Sequence, residues 1–537
     1  MTGQQIRRAG VLWLFLVGLA AWPASPASTQ TTPQRGGTLR MAYTVDAVTL
    51  NPGLTSQIGA TIIGTKLFSG LLEYNWDFVP RPSLAERWQI SPDGLTYTFH
   101  LRRDVTFHDG RPLTSADVKF SIESVVKPMH SRGATNFGAV EAIETPDAHT
   151  VVFRLKYPFA PFIRVFHVSD APILPKHLYE GTDIRNNPHN LRPIGSGPFK
   201  FIEWVKGNHV ILERYDHYFQ KAQPYLERLV YQVIPDQATR VAALETEQVD
   251  VVPWSGIPNM EMPRVKQLPH VAMTTRGYES LSIIMWLEFN LRRSPLHDVR
   301  VRRAIAHAID KHFIHQNIWF GIGKVASGPL SSNHKGFYTA EVPTDTYSLA
   351  QANQLLDEAE LRRGADGVRF KLTQEIIPYG EEWVRLAEYI REQLKKIGIE
   401  VSNRSSDVPG WFNRIWTQYD FDFTSDFVGN LSDPSLGMPR YFMSTMVKPG
   451  VPFTNSMNYQ NPEIDRLFTQ AAQELNPDKR YELFHQIQRI LVSELPLLAL
   501  LEMEFTTFYH KELEGLVTSP FGVYDSFDRV YWKRMKQ

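Results

Sequence analysis

The segment "SPDGLTYTFHLRRDVTFHDGRPLTSADV", Ser91 to Val118, decides how the whole chain is read. It gathers His100, His108, Asp93, Asp104 and Asp109, with arginines between them. Such a mixture suits an active site, a metal site or the punctuation of a scaffold. Ser91-Pro92-Asp93-Gly94 carries turn chemistry: proline presets φ, the aspartate caps its own backbone, and glycine accepts positive φ. Leu95, Tyr97, Phe99 and Leu101 then alternate with Thr96, Thr98, His100 and Arg102. That period of two predicts a strand with one buried face. Trp88, Gln89 and Ile90 show the same alternation upstream, so the turn should close a hairpin with His100 on its polar side. Val105 and Phe107 repeat the pattern briefly before an Asp109-Gly110 turn. Thr114 stands as helix N-cap with Asp117 in capping-box position, and Val118, Ile122, Val125 and Val126 follow at helical spacing. Nearly every polar residue here has a structural task, and His108 and Asp109 are not assigned to chemistry.

The chain has 537 residues, too many for one core, which predicts two or more domains. Hydrophobic residues at 43% and charged residues at 21% are those of a soluble globular protein. Lys+Arg and Asp+Glu balance at 57 each, so no net field favours nucleic acid or an anionic membrane. With no cysteine, the chain has no disulfides, thiolate metal sites, iron–sulfur clusters, cysteine nucleophiles or acylated anchor. Near the start, Arg7 and Arg8 precede "GVLWLFLVGLAAW", Gly10 to Trp22, which is apolar but short for a bilayer. Small residues Ser25 and Ala27 follow, which predicts an export signal over 1–27 cleaved after Ala27. The mature protein is expected to be periplasmic and not a lipoprotein.

Downstream, strand-like and helix-like segments alternate with no fixed repeat, the pattern of an α/β protein with mixed sheets. "GSGPFKFIEW" (Gly195 to Trp204) is a glycine turn entering a strand, and "GNHVILERYDHYF" supplies its hairpin partner. "SIIMWLEFN" (Ser282 to Asn290) reads as a strand, and "SPLHDVRVRRAIAHAIDKHFIHQNIW" as one long helix. "WVRLAEYIREQLKKIGIEV" reads as a helix entering a strand at Ile399, and "NPDKRYELFHQIQRILVSELPLLALL" likewise as helix then strand.

Catalytic signatures are sparse. There is no phosphate-cradling glycine loop and no GxSxG elbow. Ser124 and Lys127 match SxxK, and Ser331-Ser332-Asn333 resembles a second acyl-transfer motif, but the Lys-Thr-Gly that would complete the set is missing. His307, His312 and His315 are spaced by five and three, so they do not present the one-face pair of a zinc helix. No cofactor, metal or catalytic residue is assigned, and the chain is read as a non-enzyme. Its 12 Trp, 21 Tyr and 31 Phe instead suit an aromatic-lined small-molecule cleft.

An ordered series of motifs runs through the chain: "GGTLRMAYTVDAVTLNPG", "GLLEYN", the opening segment within "PSLAERWQISPDGLTYTFHLRRDVTFHDGRPLTSADVKFSIE", "GSGPFKFIEW", "SPLHDVRVRRAIAHAID" and "YQNPEIDRLFTQAAQE". Together these resemble the family 5 extracellular solute-binding proteins of ABC transporters, the peptide, opine and nickel binders. The resemblance implies a two-lobed periplasmic-binding-protein fold that closes on a peptide or other small solute. It also implies an ABC permease as partner, and a monomer. Lobe one would comprise 35–80, an inserted subdomain at 81–192, and 193–288; lobe two would be 289–501, with a C-terminal return at 502–537. The strand at Trp286 to Asn290 and the return near Leu500 would be the hinge crossings. In the family's dipeptide binders an aspartate holds the ligand amine and an arginine its carboxylate. Counting back from Asp433-Pro434 places Asn430 at the first position, and counting back from "WVRLAEYI" places Ile377 at the second. Both departures point to a less zwitterionic ligand, with an opine, oligosaccharide or metal chelate as alternatives to peptide. The cleft contacts expected are Ser56, Trp254, Trp286, Asn290, Tyr379, Trp411, Asp426, Asn430 and Asp433.

Overall fold

The computed structural model describes residues 33–534. The export segment expected over 1–27 lies outside them. Two large sheets organise the chain. The first has seven strands in the order Val271–Thr274, Thr507–His510, Val251–Val252, Thr38–Tyr43, Arg228–Val233, His209–Arg214, Phe199–Val205. The second has six, in the order Lys324–Val325, Leu497–Glu502, Ile283–Phe289, Phe423–Gly429, Phe370–Glu375, Ile399–Arg404. Both mix parallel and antiparallel neighbours. Ile283–Phe289 and Leu497–Glu502 are buried at every position. They pair side by side in the interior of their sheet, and this burial fits their largely apolar sequences.

The opening segment builds a third, four-stranded antiparallel sheet, ordered Ala85–Ile90, Thr96–Leu101, Thr150–Leu155, Val140–Asp147. Its hairpin turn closes with the Gly94 N–H donating to the Ser91 carbonyl at 2.8 Å. Gly94 has φ +67°, and a Cβ there would meet Leu475 Cδ1 at 2.9 Å, so the turn tip rests directly on the second lobe. Tyr97 and Phe99 point inward, and the Phe99 ring packs at 4.8 Å from Phe166 and 5.7 Å from Phe153. The capping box forms as its spacing predicts: the Asp117 carboxylate accepts from the Thr114 N–H at 2.8 Å.

His108 explains why the segment is dense without being a site. Its Nδ1 accepts from the Gly195 N–H at 3.2 Å, and its Nε2 donates to the Gly197 carbonyl at 3.0 Å. Burial holds its pKa down to about 4, so the ring is neutral and serves as a staple for the Gly195–Gly197 turn. That turn tolerates no side chain at its first glycine: a Cβ on Gly195 would lie 1.8 Å from the Leu67 carbonyl oxygen.

Two expectations need correction. The predicted long helix from Ser294 is broken: Val299–Ala308 ends, and the Asp310 side chain caps a new helical turn by accepting from the His312 and Phe313 N–H groups. The hinge crossings also move. Ile283–Phe289 and Leu497–Glu502 lie wholly in the second sheet, so the chain passes between sheets at 275–282 and 503–506 rather than at Trp286–Asn290 and Leu500. A fully buried strand reads alike in either lobe, so the apolar run could not place the boundary.

Candidate functional site

Residues of both sheets, Ala42 and Tyr43 of the first and Phe427 of the second, line one cleft. After the strand Val251–Val252 the chain turns sharply: Trp254 and Ser255 take φ +57° and +50°, left-handed values that cost non-glycine residues about 1–3 kcal/mol each. The strain is held by hydrogen bonds. The Trp254 N–H donates to Tyr278 Oη at 2.9 Å, and the Ser255 N–H donates to the Thr506 carbonyl at 2.9 Å. This fixes the Trp254 ring against Phe505, with centroids 4.5 Å apart. Across the cleft the helix Glu381–Lys396 begins with Trp383 turned inward, stacked on Phe427 at 5.7 Å and edge-on to Trp319 at 5.5 Å. Tyr379 lies 5.8 Å from Phe427.

These rings enclose a chamber of about 990 Å³. A second chamber of about 320 Å³ adjoins it. Ser56, Ile58, Trp254, Phe427 and Phe453 border both, so the two form one continuous cleft. Glu382 and Glu504 are the charged side chains on the wall of the large chamber. Arg132, Arg164, Asp170 and Arg440 are those of the small one.

Of the residues expected at the cleft, Ser56, Trp254 and Tyr379 line it. The other six lie within lobe two, off the cavity wall. Trp411 is fully buried behind Tyr379, ring centroids 6.0 Å apart, and its indole N–H donates to Thr424 Oγ1 at 3.3 Å. Trp286 packs edge-on to Tyr441 at 5.4 Å within the core. The Asn290 amide donates to the Phe421 and Tyr419 carbonyls, at 2.9 and 3.1 Å. Asn430 accepts from the Ser331 N–H at 2.8 Å and donates to the Pro329 carbonyl at 3.0 Å. Each asparagine therefore spends its amide on backbone groups that would otherwise be buried unpaired. Ile377 is also core.

The two aspartates behave oppositely. Asp433 accepts from both terminal nitrogens of Arg480, at 2.9 and 2.6 Å, and caps the Ser435 N–H at 2.9 Å. Burial alone would raise its pKa, but Arg480 and Arg164 overcome that and hold it at about 2. Arg164 reaches across from the lobe-one side: its Nη1 donates to the Ser432 carbonyl at 2.7 Å and lies 3.6 Å from Asp433. Asp426 has no such partner. Its Oδ1 accepts the Phe427 N–H at 2.6 Å, and burial pushes its pKa up to about 8. Glu288 lies diagonally opposite on the neighbouring strand and is pushed well above the carboxylate range, first by burial and then by Asp426. Asp426 therefore favours its protonated form at neutral pH, and Glu288 is shifted in the same direction.

The wall residues missed by sequence reading include Glu382, Trp383, Phe427, Phe453 and Glu504 from lobe two or the crossing, and the arginines of the small chamber. The one local signal was "PYGEEW", Pro378 to Trp383, where aromatics and acids meet at a glycine before a helix. The acyl-transfer candidates do not assemble: Lys127 Nζ donates to the Val140 carbonyl at 2.9 Å, and Ser331 and Ser332 donate to Glu502 at 2.9 and 2.8 Å in the other lobe. Among the described residues no cluster of three or more His, Asp or Glu is placed to hold a metal ion, and no helix is long and apolar enough to cross a membrane.

Two large sheets with a cleft walled by residues of both form the architecture of a known family. The family model "Bacterial extracellular solute-binding proteins, family 5 Middle" matches residues 79–448. The chain belongs to this family. Among family 5 relatives, the oligopeptide-binding protein AppA of Bacillus subtilis is 29% identical over 506 residues, covering 90% of each chain. The solved structure of that protein in complex with a nonapeptide superposes with a TM-score of 0.79 at 26% identity, over 93% of this chain and all of the other. NikZ from Campylobacter jejuni in complex with Ni(L-His) superposes at 0.78 and 25% identity, over 91% of this chain and 97% of the other. The fold is thus the two-lobed one that the motif series implied, and these relatives are binding proteins rather than enzymes.

Proposed function

We propose that the protein is the exported solute receptor of an ABC import system, capturing a peptide or peptide-like solute between its lobes and delivering it to a membrane permease. The observation that carries this is the continuous two-chambered cleft, whose neck is shared by Ser56 and Trp254 from one side and Phe427 and Phe453 from the other. Ligand between such walls favours the closed arrangement because only that arrangement contacts it on both sides. Cleavage after Ala27, a periplasmic location and action as a monomer belong to the same reading. A metal chelate or other non-peptide solute is the second reading, favoured by the likeness to NikZ.

A thermal-shift screen of residues 28–537 against di-, tri- and longer peptides, opines, oligosaccharides and chelated nickel tests it. Ligand at one hundred times its dissociation constant adds about 2.7 kcal/mol, a shift of a few degrees. Stabilisation by peptides supports the proposal. Stabilisation by another class alone would keep the receptor and replace its cargo.

A further inference from the structure

Sequence counting removes both charge anchors, at Asn430 and Ile377, and predicts a ligand with little charge separation. The cleft itself reverses that expectation. Glu382 and Glu504 stand on the wall of the large chamber, and no basic residue lies on that wall. Among the described residues neither glutamate has a basic side chain within ion-pair distance, whereas Glu388, further along the same helix as Glu382, pairs with Arg391 at 2.6 Å. They are framed by Tyr43, Trp254, Tyr379, Trp383 and Phe505, whose ring faces attract cations. Glu382 could stand where it does simply to favour its helix N-terminus. Glu504 has no helix to serve, since it lies on the crossing at 503–506.

The opposite end has the opposite sign. In the small chamber Arg164 is committed to Ser432 and Asp433. Arg440 has no carboxylate partner among the described residues: its Nε and Nη2 donate to the Phe453 and Pro452 carbonyls, at 2.6 and 3.1 Å, and its guanidinium lies 5.5 Å from the Tyr441 ring centroid. Arg132 pairs with Asp170 at 3.0 Å, yet its buried Nε has no partner. Asn136 Oδ1 is buried and unpartnered beside it. Arg132 comes from the lobe-one side and Arg440 from lobe two, so an anion between them would be gripped only when the cleft is closed.

We infer that the cleft takes a ligand of opposite ends, with a bulky cationic end in the aromatic chamber against Glu382 and Glu504 and a carboxylate in the small chamber against Arg440 and Arg132. This rests on the peptide reading proposed above and narrows it to peptides with a free C-terminus and a basic residue toward the other end. The anchors belong to different positions from those that counting identified, which is why the motif alone hid them.

Calorimetric titration of the full mature chain tests it with three probes: Lys-Phe-Ala, its C-terminal amide, and N-acetyl-Gln-Phe-Ala. Lys-Phe-Ala is expected to bind at least tenfold more tightly than either of the others. The loss on amidation should vanish in Arg440→Met, and the loss on removing the cation should vanish in Glu382→Gln/Glu504→Gln. Arg440→Lys, which keeps the charge, should restore the acid-over-amide preference if Arg440→Met melts early. Equal binding of all three probes would overturn the inference and leave the peptide reading standing. Binding of none, with stabilisation by a chelate or opine in the screen above, would overturn the peptide reading itself.

Discussion

Asp426 and Asp433 lie seven positions apart, both buried, and they do opposite things. Asp433 meets two guanidinium groups and stays ionised, with its pKa near 2; Asp426 meets one backbone N–H and no cation, and burial raises its pKa to about 8. The residue type is the same and so is the depth. What differs is the charge of the neighbours, and that is a tertiary fact. One aspartate is a clamp that joins Arg480 within lobe two and receives Arg164 from lobe one. The other is a neutral acid built into the sheet under the cleft.

The contrast can be broken from either side. Asp433→Ala leaves Arg480 buried without its partner and should cost about 3–5 kcal/mol of stability, measured by urea unfolding. Trp411→Ala should cost a similar amount by opening a cavity behind Tyr379, about 3–5 kcal/mol. Its effect on affinity, measured on the folded fraction, should be smaller than that of Trp254→Ala, whose ring lines the cleft. A loss of affinity larger than that of Trp254→Ala would place Trp411 in contact with ligand.

The pH dependence has two arms of opposite sign. Asp433 has a folded pKa below its ordinary 3.8, so its stabilisation is present above that value and is lost as pH falls through about 2. Asp426 has a folded pKa raised from 3.8 to about 8, so the native state holds an extra proton between those values, and stability declines as pH rises through that range. Asp426→Asn should remove its share of this decline, with Glu288 keeping its own, and make the variant more stable than the parent at pH 9 by about 1–3 kcal/mol. Unfolding curves from pH 4 to 9 for parent and variant would show it; identical slopes in the two would mean that Asp426 ionises freely.

Arg164→Met should leave each lobe intact but weaken the closed arrangement, lowering affinity roughly tenfold, or about 1.4 kcal/mol, with a smaller change in melting temperature. The smallest effect belongs to His108→Ala. It should lower the melting temperature by loosening the Gly195–Gly197 turn while ligand affinity stays within a factor of about two to three, well under 1 kcal/mol.

These comparisons also mark what was legible in the sequence. The hairpin at Ser91–Gly94, the Thr114–Asp117 box and the return of Thr507–His510 to the first sheet could be read because turn chemistry, capping and motif order are local or sequential signals. Ser56, Trp254 and Tyr379, expected at the cleft from the resemblance, lie on its wall. Asn290 and Asn430 were not separable from ligand contacts, since an amide that satisfies buried backbone looks the same in sequence as one that holds a solute. Glu382 and Glu504 were missed because each is ordinary in its own segment, and only the fold brings them to one chamber.

The contact of Gly94 with Leu475 has a practical use. The turn tip of a lobe-one hairpin touches the second lobe far along the chain from the cleft walls. A pair of fluorophores on Pro92 and Glu474, both outside the cleft, would separate whenever the molecule opens. The hairpin that first looked like an active site would then serve as an optical gauge, reporting occupancy in real time without any label near the cargo.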